Sequence, residues 1–199
     1  GNFRIRPWVL RARPSPWLHP GEKARYRGHR QGHPAARLPR SRGKFSRCPN
    51  AKKFGETADY LPLQYGHIKI PELNDKNIYF VDFTPSKEIL LGLLKNNSVV
   101  GIDHHISTKD ELEVLSEKVF STAHSGAYLA WEYFHKETKM PELIKHLSDY
   151  DTWQFKLDGT REIDLYMRIF PMEFETWDNF ATELEDEGSK SHIINVGKT

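Results

Sequence analysis

The sequence predicts an α/β protein in which a parallel sheet is flanked by helices, and three observations predict it. Ser98 to Ile102 is a short apolar run that stops at Asp103-His104-His105, the pattern of a buried strand with polar groups at its C-terminal end. Asn77-Ile78-Tyr79-Phe80-Val81-Asp82-Phe83 repeats the pattern and closes on Asp82. Between them, Ser86 to Lys95 carries Ile89, Leu90, Leu93 and Leu94 at helical spacing. Strand, helix and strand of these lengths form a right-handed βαβ unit.

Composition divides the chain in two. Residues 1–50 hold eleven Arg and two Lys against a single acid, Glu22, so this segment carries +12 while the other 149 residues carry −10. Seven Pro interrupt it, and neither helical nor alternating periodicity is present. Such a segment buries too little apolar area to offset chain entropy and is expected to be poorly structured. Two origins fit it: a basic arm for nucleic-acid phosphates, or a frameshifted stretch, because GC-rich codons read out of frame give Arg and Pro with little Lys. Residues 51–199 form the second unit, long enough for one α/β domain. A single cysteine, Cys48, excludes an intramolecular disulfide and fits a reducing compartment. The apolar runs are too short for a bilayer, no secretory pattern opens the chain, and a cytoplasmic location follows.

The remaining elements follow in order. Thr57 to Leu63 reads as a short strand and Ile68 to Asn77 as a connector with Pro71. Thr84-Pro85 supplies an N-cap and a first helical residue. Thr108 to Glu117 reads as an amphipathic helix with Leu112 and Leu115 on one face, and Lys118 to Ser121 as a brief strand. Ser125 to His135 is helical and apolar on most sides, so it is buried. His124 and Ser125 stand at its N-terminus, where free N–H groups favour phosphate, although a plain N-cap also accounts for Ser125. Pro141 opens a helix running into Asp149 and Asp151, and amphipathic helices cover Arg161 to Phe170 and Glu173 to Leu184. The aromatic residues of the last two (Tyr166, Phe170, Phe174, Trp177, Phe180) are read as core rather than as a base-stacking surface.

The two strand-end acids carry the chemistry. Neighbouring parallel strands lie about 5 Å apart, so Asp82 and the Asp103-His104-His105 group are within reach of one cation at the edge where open sheets bind ligands. Burying three such groups unpaired would cost several kcal/mol, and core packing does not require them. A solvated turn with two histidines is the competing explanation. Asp and His without Cys make a hard oxygen and nitrogen donor set that prefers Mn²⁺ or Mg²⁺, with Co²⁺ allowed, over structural zinc.

In this order, Val81-Asp82, Asp103-His104-His105 and Asp149-Tyr150-Asp151-Thr152-Trp153 resemble the motifs of the DHH phosphoesterase superfamily. With Lys53-Phe54-Gly55-Glu56 to Tyr65-Gly66 they look most like its nanoRNase-B-type oligoribonuclease branch, and the resemblance runs from about Phe54 to the C-terminus. It implies a two-ion site in which Asp82 bridges both ions. His104 would ligate the second ion together with Asp151, or with Asp149 as the alternative acid. His105 would face the scissile phosphate, and Asp103 would orient an imidazole. The family's first motif, a strand-end histidine and an Asp-containing turn, has no counterpart in residues 1–50. Its Gly-Gly-Gly-His-type substrate domain has none after residue 184, so the chain is expected to be incomplete.

The function expected from these residues is metal-dependent hydrolysis of phosphodiester bonds in short RNA oligonucleotides or small nucleotides, weakened or lost where the first motif is missing. A cyclic dinucleotide, 3′-phosphoadenosine phosphate or polyphosphate would suit the same chemistry. The reading from another class is a non-catalytic nucleic-acid-binding module that uses the basic arm.

Overall fold

The computed structural model describes residues 8–12, 58–63, 70–170 and 174–198. Its centre is a five-stranded sheet in the order β2-β1-β3-β4-β5. The strands are β1 (Trp8–Ala12), β2 (Ala58–Pro62), β3 (Asn77–Val81), β4 (Ser98–Asp103) and β5 (Glu117–Phe120). β3, β4 and β5 are parallel, with Val81 opposite Ile102 and Ile102 opposite Val119. β1 runs antiparallel to both of its neighbours, so β2 points the same way as β3. The predicted α/β class and parallel arrangement are present, together with one strand that the sequence did not announce.

That strand is Trp8–Ala12, within the segment expected to be poorly structured. Trp8-Val9-Leu10 is a short apolar stretch between arginines, too short for any periodicity to register. The slot between β2 and β3 offers it a hydrogen-bonded partner on each side, with Trp8 opposite both Pro62 and Val81. Pairing of this kind overrides local composition. The rest of residues 1–50, and with it the frameshifted or basic-arm reading, lies outside the described residues, as do 51–57 and 64–69.

The alternation of strand residues builds two cores. Ile78, Phe80 and Val99 face one side of the sheet, where α1 (Lys87–Leu94) adds Leu90 and the segment at α2 (Lys109–Leu112) adds Leu112 and Leu115. Val81, Val100 and Ile102 face the other side, under Leu129, Ala130 and Phe134 of α3 (Gly126–Phe134). Gly101 lets the α2 segment close on the sheet, since a Cβ there would overlap the side chains of Leu112 and Leu115. The third core is helical. Leu143 and Leu147 of α4 (Glu142–Asp151) and Ile163 of α5 (Thr160–Met167) meet Phe180 of α6 (Phe174–Glu183) and Ile193 of α7 (Glu187–Gly197).

Two sequence expectations are corrected. The N-cap of α1 is Ser86, not Thr84, because the Thr84 hydroxyl is spent on Asp103, and the helix starts at Lys87. The helix expected over Thr108 to Glu117 is confined to Ile106–Thr108, as a 3₁₀ turn, and Lys109–Leu112. Thr108 is tied down by Asp103, and Leu112 and Leu115 turn in under the sheet, which ends the helix early. Of the aromatic residues expected in the core, Phe180 is buried and Tyr166 and Trp177 pack partly buried with it, whereas Phe170 packs on Phe180 but stays exposed. The side chain of Phe174 lies outside the described residues. Among the described residues no helix is long and apolar enough to cross a membrane.

Phe80, with no exposed surface, is one of two fully buried phenylalanines in the core between the sheet and α1. Phe80→Ala is expected to cost about 3–5 kcal/mol in urea unfolding. Leu91→Ala, on the exposed side of α1, is expected to fall within about 1 kcal/mol of the parent.

Candidate metal centre

The site lies at the C-terminal edge of β3 and β4. The register carries one residue past Val81: the Asp82 N–H donates to the Ile102 carbonyl at 2.8 Å, which sets Asp82 beside Asp103. Asp82 holds a left-handed backbone, φ 59°, a conformation that the short polar side chain of Asp tolerates better than most. The first turn of α3 closes on it. A Cβ on Gly126 would stand 2.5–2.7 Å from the Cβ, Oδ1 and Cα of Asp82, so only glycine permits this approach.

Asp103 is fully buried and is the best-satisfied polar group in the site. Its Oδ1 accepts from the backbone N–H of His104 at 2.7 Å, from that of His105 at 3.2 Å and from His105 Nδ1 at 2.7 Å. Its Oδ2 accepts from the hydroxyls of Thr84 at 2.6 Å and Thr108 at 3.0 Å. Burial alone would push its pKa up. The bonds from His105 and Thr84 outweigh that, and the carboxyl is held below the usual range. An ionised Asp103 only accepts, so His105 carries a proton on Nδ1 and, when the ring is neutral, presents the Nε2 lone pair.

Around His104 the accounting does not close. Its Nε2 lies 3.1 Å from Asp82 Oδ1 and 3.3 Å from Asp151 Oδ2. One ring nitrogen carries at most one hydrogen and cannot satisfy two carboxylates. Both Asp82 Oδ1 and Asp151 Oδ2 are buried without a hydrogen bond. Ligand atoms of Asp82, His104 and His105 all lie within 4.8 Å of one another. The electrostatics reflect the crowding. Burial, reinforced by the Asp82 charge, pushes the Asp151 carboxyl up to about 6. Burial pulls His104 down, but the contact with Asp82 and the charges of Asp82 and Asp151 win, and its pKa rises. His105 is raised by its bond to Asp103 against the opposing effect of burial.

Buried carboxylates facing one imidazole with lone pairs unspent suit a divalent cation. Asp82, His104 and His105 offer ligand atoms close enough to share one, and Asp151 joins the cluster through its approach to His104.

Two other candidates take different places. Asp149 spends both oxygens on its own loop: Oδ1 accepts from Lys156 N at 2.8 Å, and Oδ2 from Leu157 N at 3.0 Å and Thr160 Oγ1 at 2.7 Å. The two acids left open by the sequence are thus separated, with Asp151 toward the cluster and Asp149 holding the loop. Ser125 is buried as the N-cap of α3, accepting from Tyr128 N at 3.3 Å, while its own N–H donates to Ser148 Oγ. His124 stacks on Tyr128, ring centroids 3.9 Å apart. Neither is joined to the Asp82 cluster by a hydrogen bond. Thr84 and Thr108, which clamp Asp103, are the functional residues that sequence reasoning missed. Neither belongs to a motif, and only the fold brings them to the acid.

No protein-family model and no solved structure matches the chain. One viral relative does: an uncharacterized protein of Acanthamoeba polyphaga mimivirus is 27% identical over 117 residues, 57% of this chain and 28% of that protein. The match thus spans less than a third of the viral protein's length.

The Asp151 shift has a sign that stability measurements read. The folded chain retains on Asp151 a proton that the unfolded chain has lost, in the window between about pH 4 and pH 6. Its ionisation therefore costs nothing below that window, a rising amount within it and the full amount above it. Metal-free Asp151→Asn is expected to be more stable than the parent at pH 7.5, by at most about 3 kcal/mol, and to lose that advantage as the pH approaches 4. Denaturant melts at a series of pH values check this.

Proposed function

We propose that the chain is a metal-dependent phosphoesterase acting on phosphodiester bonds of short RNA oligonucleotides or small nucleotides. The observation that carries the reading is the pair of buried, unbonded carboxylate oxygens, on Asp82 and Asp151, aimed at the same His104 nitrogen. The order of the Asp82, Asp103-His104-His105 and Asp149–Trp153 segments supports it through the resemblance to DHH phosphoesterases.

In this reading Asp82, His104 and Asp151 hold the cation, and their hard oxygen and nitrogen donors select Mn²⁺ or Mg²⁺. A divalent ion held by these residues would supply positive charge that stabilises the phosphoryl oxygens. The chain's own residues do the rest. Asp103 fixes the ring of His105 through Nδ1, so Nε2 meets a phosphate in one orientation. With its raised pKa, His105 is protonated over part of the neutral range and then donates to a phosphoryl or leaving oxygen. Asp103, already ionised, stabilises that imidazolium. The ligands present among the described residues suffice for one ion, whereas the family pattern has two.

Purified full-length chain with Mn²⁺ is expected to hydrolyse a diadenylate, and a chelator is expected to abolish the activity. Asp82→Ala and His104→Ala are each expected to lower kcat/KM by about 100-fold or more. Activity that survives His104→Ala would remove this residue from the site. Protons on Asp151 and His104 compete with the ion, so Mn²⁺ affinity is expected to rise between pH 5.5 and 7.5. Calorimetric titration at several pH values measures this.

The charge of residues 1–50 supports a second reading, a basic arm for nucleic-acid phosphates. Deletion of the arm is not a clean test, because β1 lies within it and pairs with both β2 and β3. Replacing Arg37, Arg40, Arg42 and Arg47 by Gln leaves β1 intact. If the arm binds RNA, this variant is expected to weaken filter binding and flatten its salt dependence without altering any Mn²⁺ requirement.

A further inference from the structure

The turn between α4 and α5 presents an aromatic surface that packing does not explain. The Trp153 side chain is 74% exposed, the most exposed large apolar residue among those described. Its backbone is left-handed, φ 54°, and so is that of Phe155, φ 48°. Bulky residues rarely adopt this conformation, and where they do, the surroundings must hold them there. Here they are held: Trp153 N donates to the Tyr150 carbonyl and Gln154 N to the Asp149 carbonyl, each at 3.0 Å, while the Asp149 carboxylate takes the amides of Lys156 and Leu157.

The neighbouring rings back the indole. Phe155 meets the indole edge to face, centroids 5.3 Å apart at 87°, and Tyr150 lies 6.3 Å away at 31°. The Arg161 guanidinium covers Phe155 at 4.3 Å, and Arg168 lies 5.7 Å from the Tyr150 ring while donating to its hydroxyl. The result is a solvent-facing indole backed by aromatic rings, with Arg161 and the Asp164-paired Arg168 behind them.

Its position gives the surface a use. Trp153 follows Asp151 by two residues, so their Cα atoms are at most about 7.6 Å apart. Asp151 in turn reaches to within 3.3 Å of His104. A ligand with an anionic group at the Asp82–His104–Asp151 cluster therefore has an exposed aromatic ring within one nucleotide's reach, with Arg161 on the neighbouring Phe155. We propose that Trp153 is the stacking platform for a nucleobase of the ligand whose phosphate lies at that cluster. This rests on the phosphoesterase reading and narrows it to substrates that carry a base beside the scissile phosphate, excluding polyphosphate.

The test uses the full-length chain with Mn²⁺, titrated calorimetrically with AMP and with ribose 5-phosphate, which lacks the base. The parent is expected to bind AMP about tenfold more tightly. Trp153→Ala is expected to lose that preference while binding ribose 5-phosphate as before, and Trp153→Phe to retain most of it. Equal affinities in the parent, equal losses for both ligands in Trp153→Ala, or no AMP binding would each overturn the proposal. So would sedimentation showing a self-associated parent that Trp153→Ala dissociates, since the indole would then face a second copy. A base preference in a chain that hydrolyses nothing would sink the phosphoesterase reading and leave the platform standing. Hydrolysis without base preference would do the reverse.

Discussion

A carboxylate with no exposed surface sits at the end of β4, and the geometry of the site follows from the need to satisfy it. Ionised Asp103 would be prohibitively costly in this position without donors. Five reach it, from the β3–α1 loop, from the two residues that follow β4 and from the 3₁₀ turn beyond them. Satisfying one buried group thus fixes three segments relative to each other. His104 and His105 have no freedom to leave the sheet edge, because their amides are bound to the same oxygen that holds the His105 ring.

The neighbouring arrangement is satisfied in the opposite sense. Asp82, His104 and Asp151 form a cluster in which charge exceeds available donors, and the fold tolerates it because the rest of the molecule is well packed on both sheet faces. The N-terminus of α3, brought against Asp82 by Gly126, offsets part of that negative charge through the helix dipole. A folded chain holding such a cluster is less stable than it needs to be, a cost commonly found where a ligand later supplies the missing partner.

The sequence made the βαβ unit and the cluster at its strand ends legible, because Asn77–Val81, Lys87–Leu94 and Ser98–Asp103 each carry a clear period and the acids and imidazoles sit where the periods stop. It did not show which of Asp149 and Asp151 faces the cluster. Two positions apart on a helix point about 200° from each other, so only one of them can face it, but the rotation of α4 is set by Leu143 and Leu147 packing on other helices. Thr84 was misread for a related reason: Thr-Pro is a good local cap signal, and a buried carboxylate nineteen residues away outbid it. β1 escaped notice because five residues among arginines carry no period, and its place is defined by partners far along the chain. α7 was missed as well, its apolar residues too few to mark a face until Ile193 meets the third core.

Asp149 links α4 to the turn beyond it. It faces away from the cation position, yet its two oxygens and its carbonyl hold the turn that follows α4, and the buried His146 bonds to the Thr160 hydroxyl on the same carboxylate. Thr160 donates to Asp149, so its oxygen accepts from His146 Nδ1, and the ring is neutral, in keeping with a pKa lowered mainly by burial. This network joins α4 to α5 without any charge being exposed. With α4 already oriented by Leu143 and Leu147, it fixes the left-handed turn that leaves Trp153 facing solvent just beyond Asp151. The acid that the motif left undecided is thus the one that holds the loop, while its neighbour two residues on meets His104.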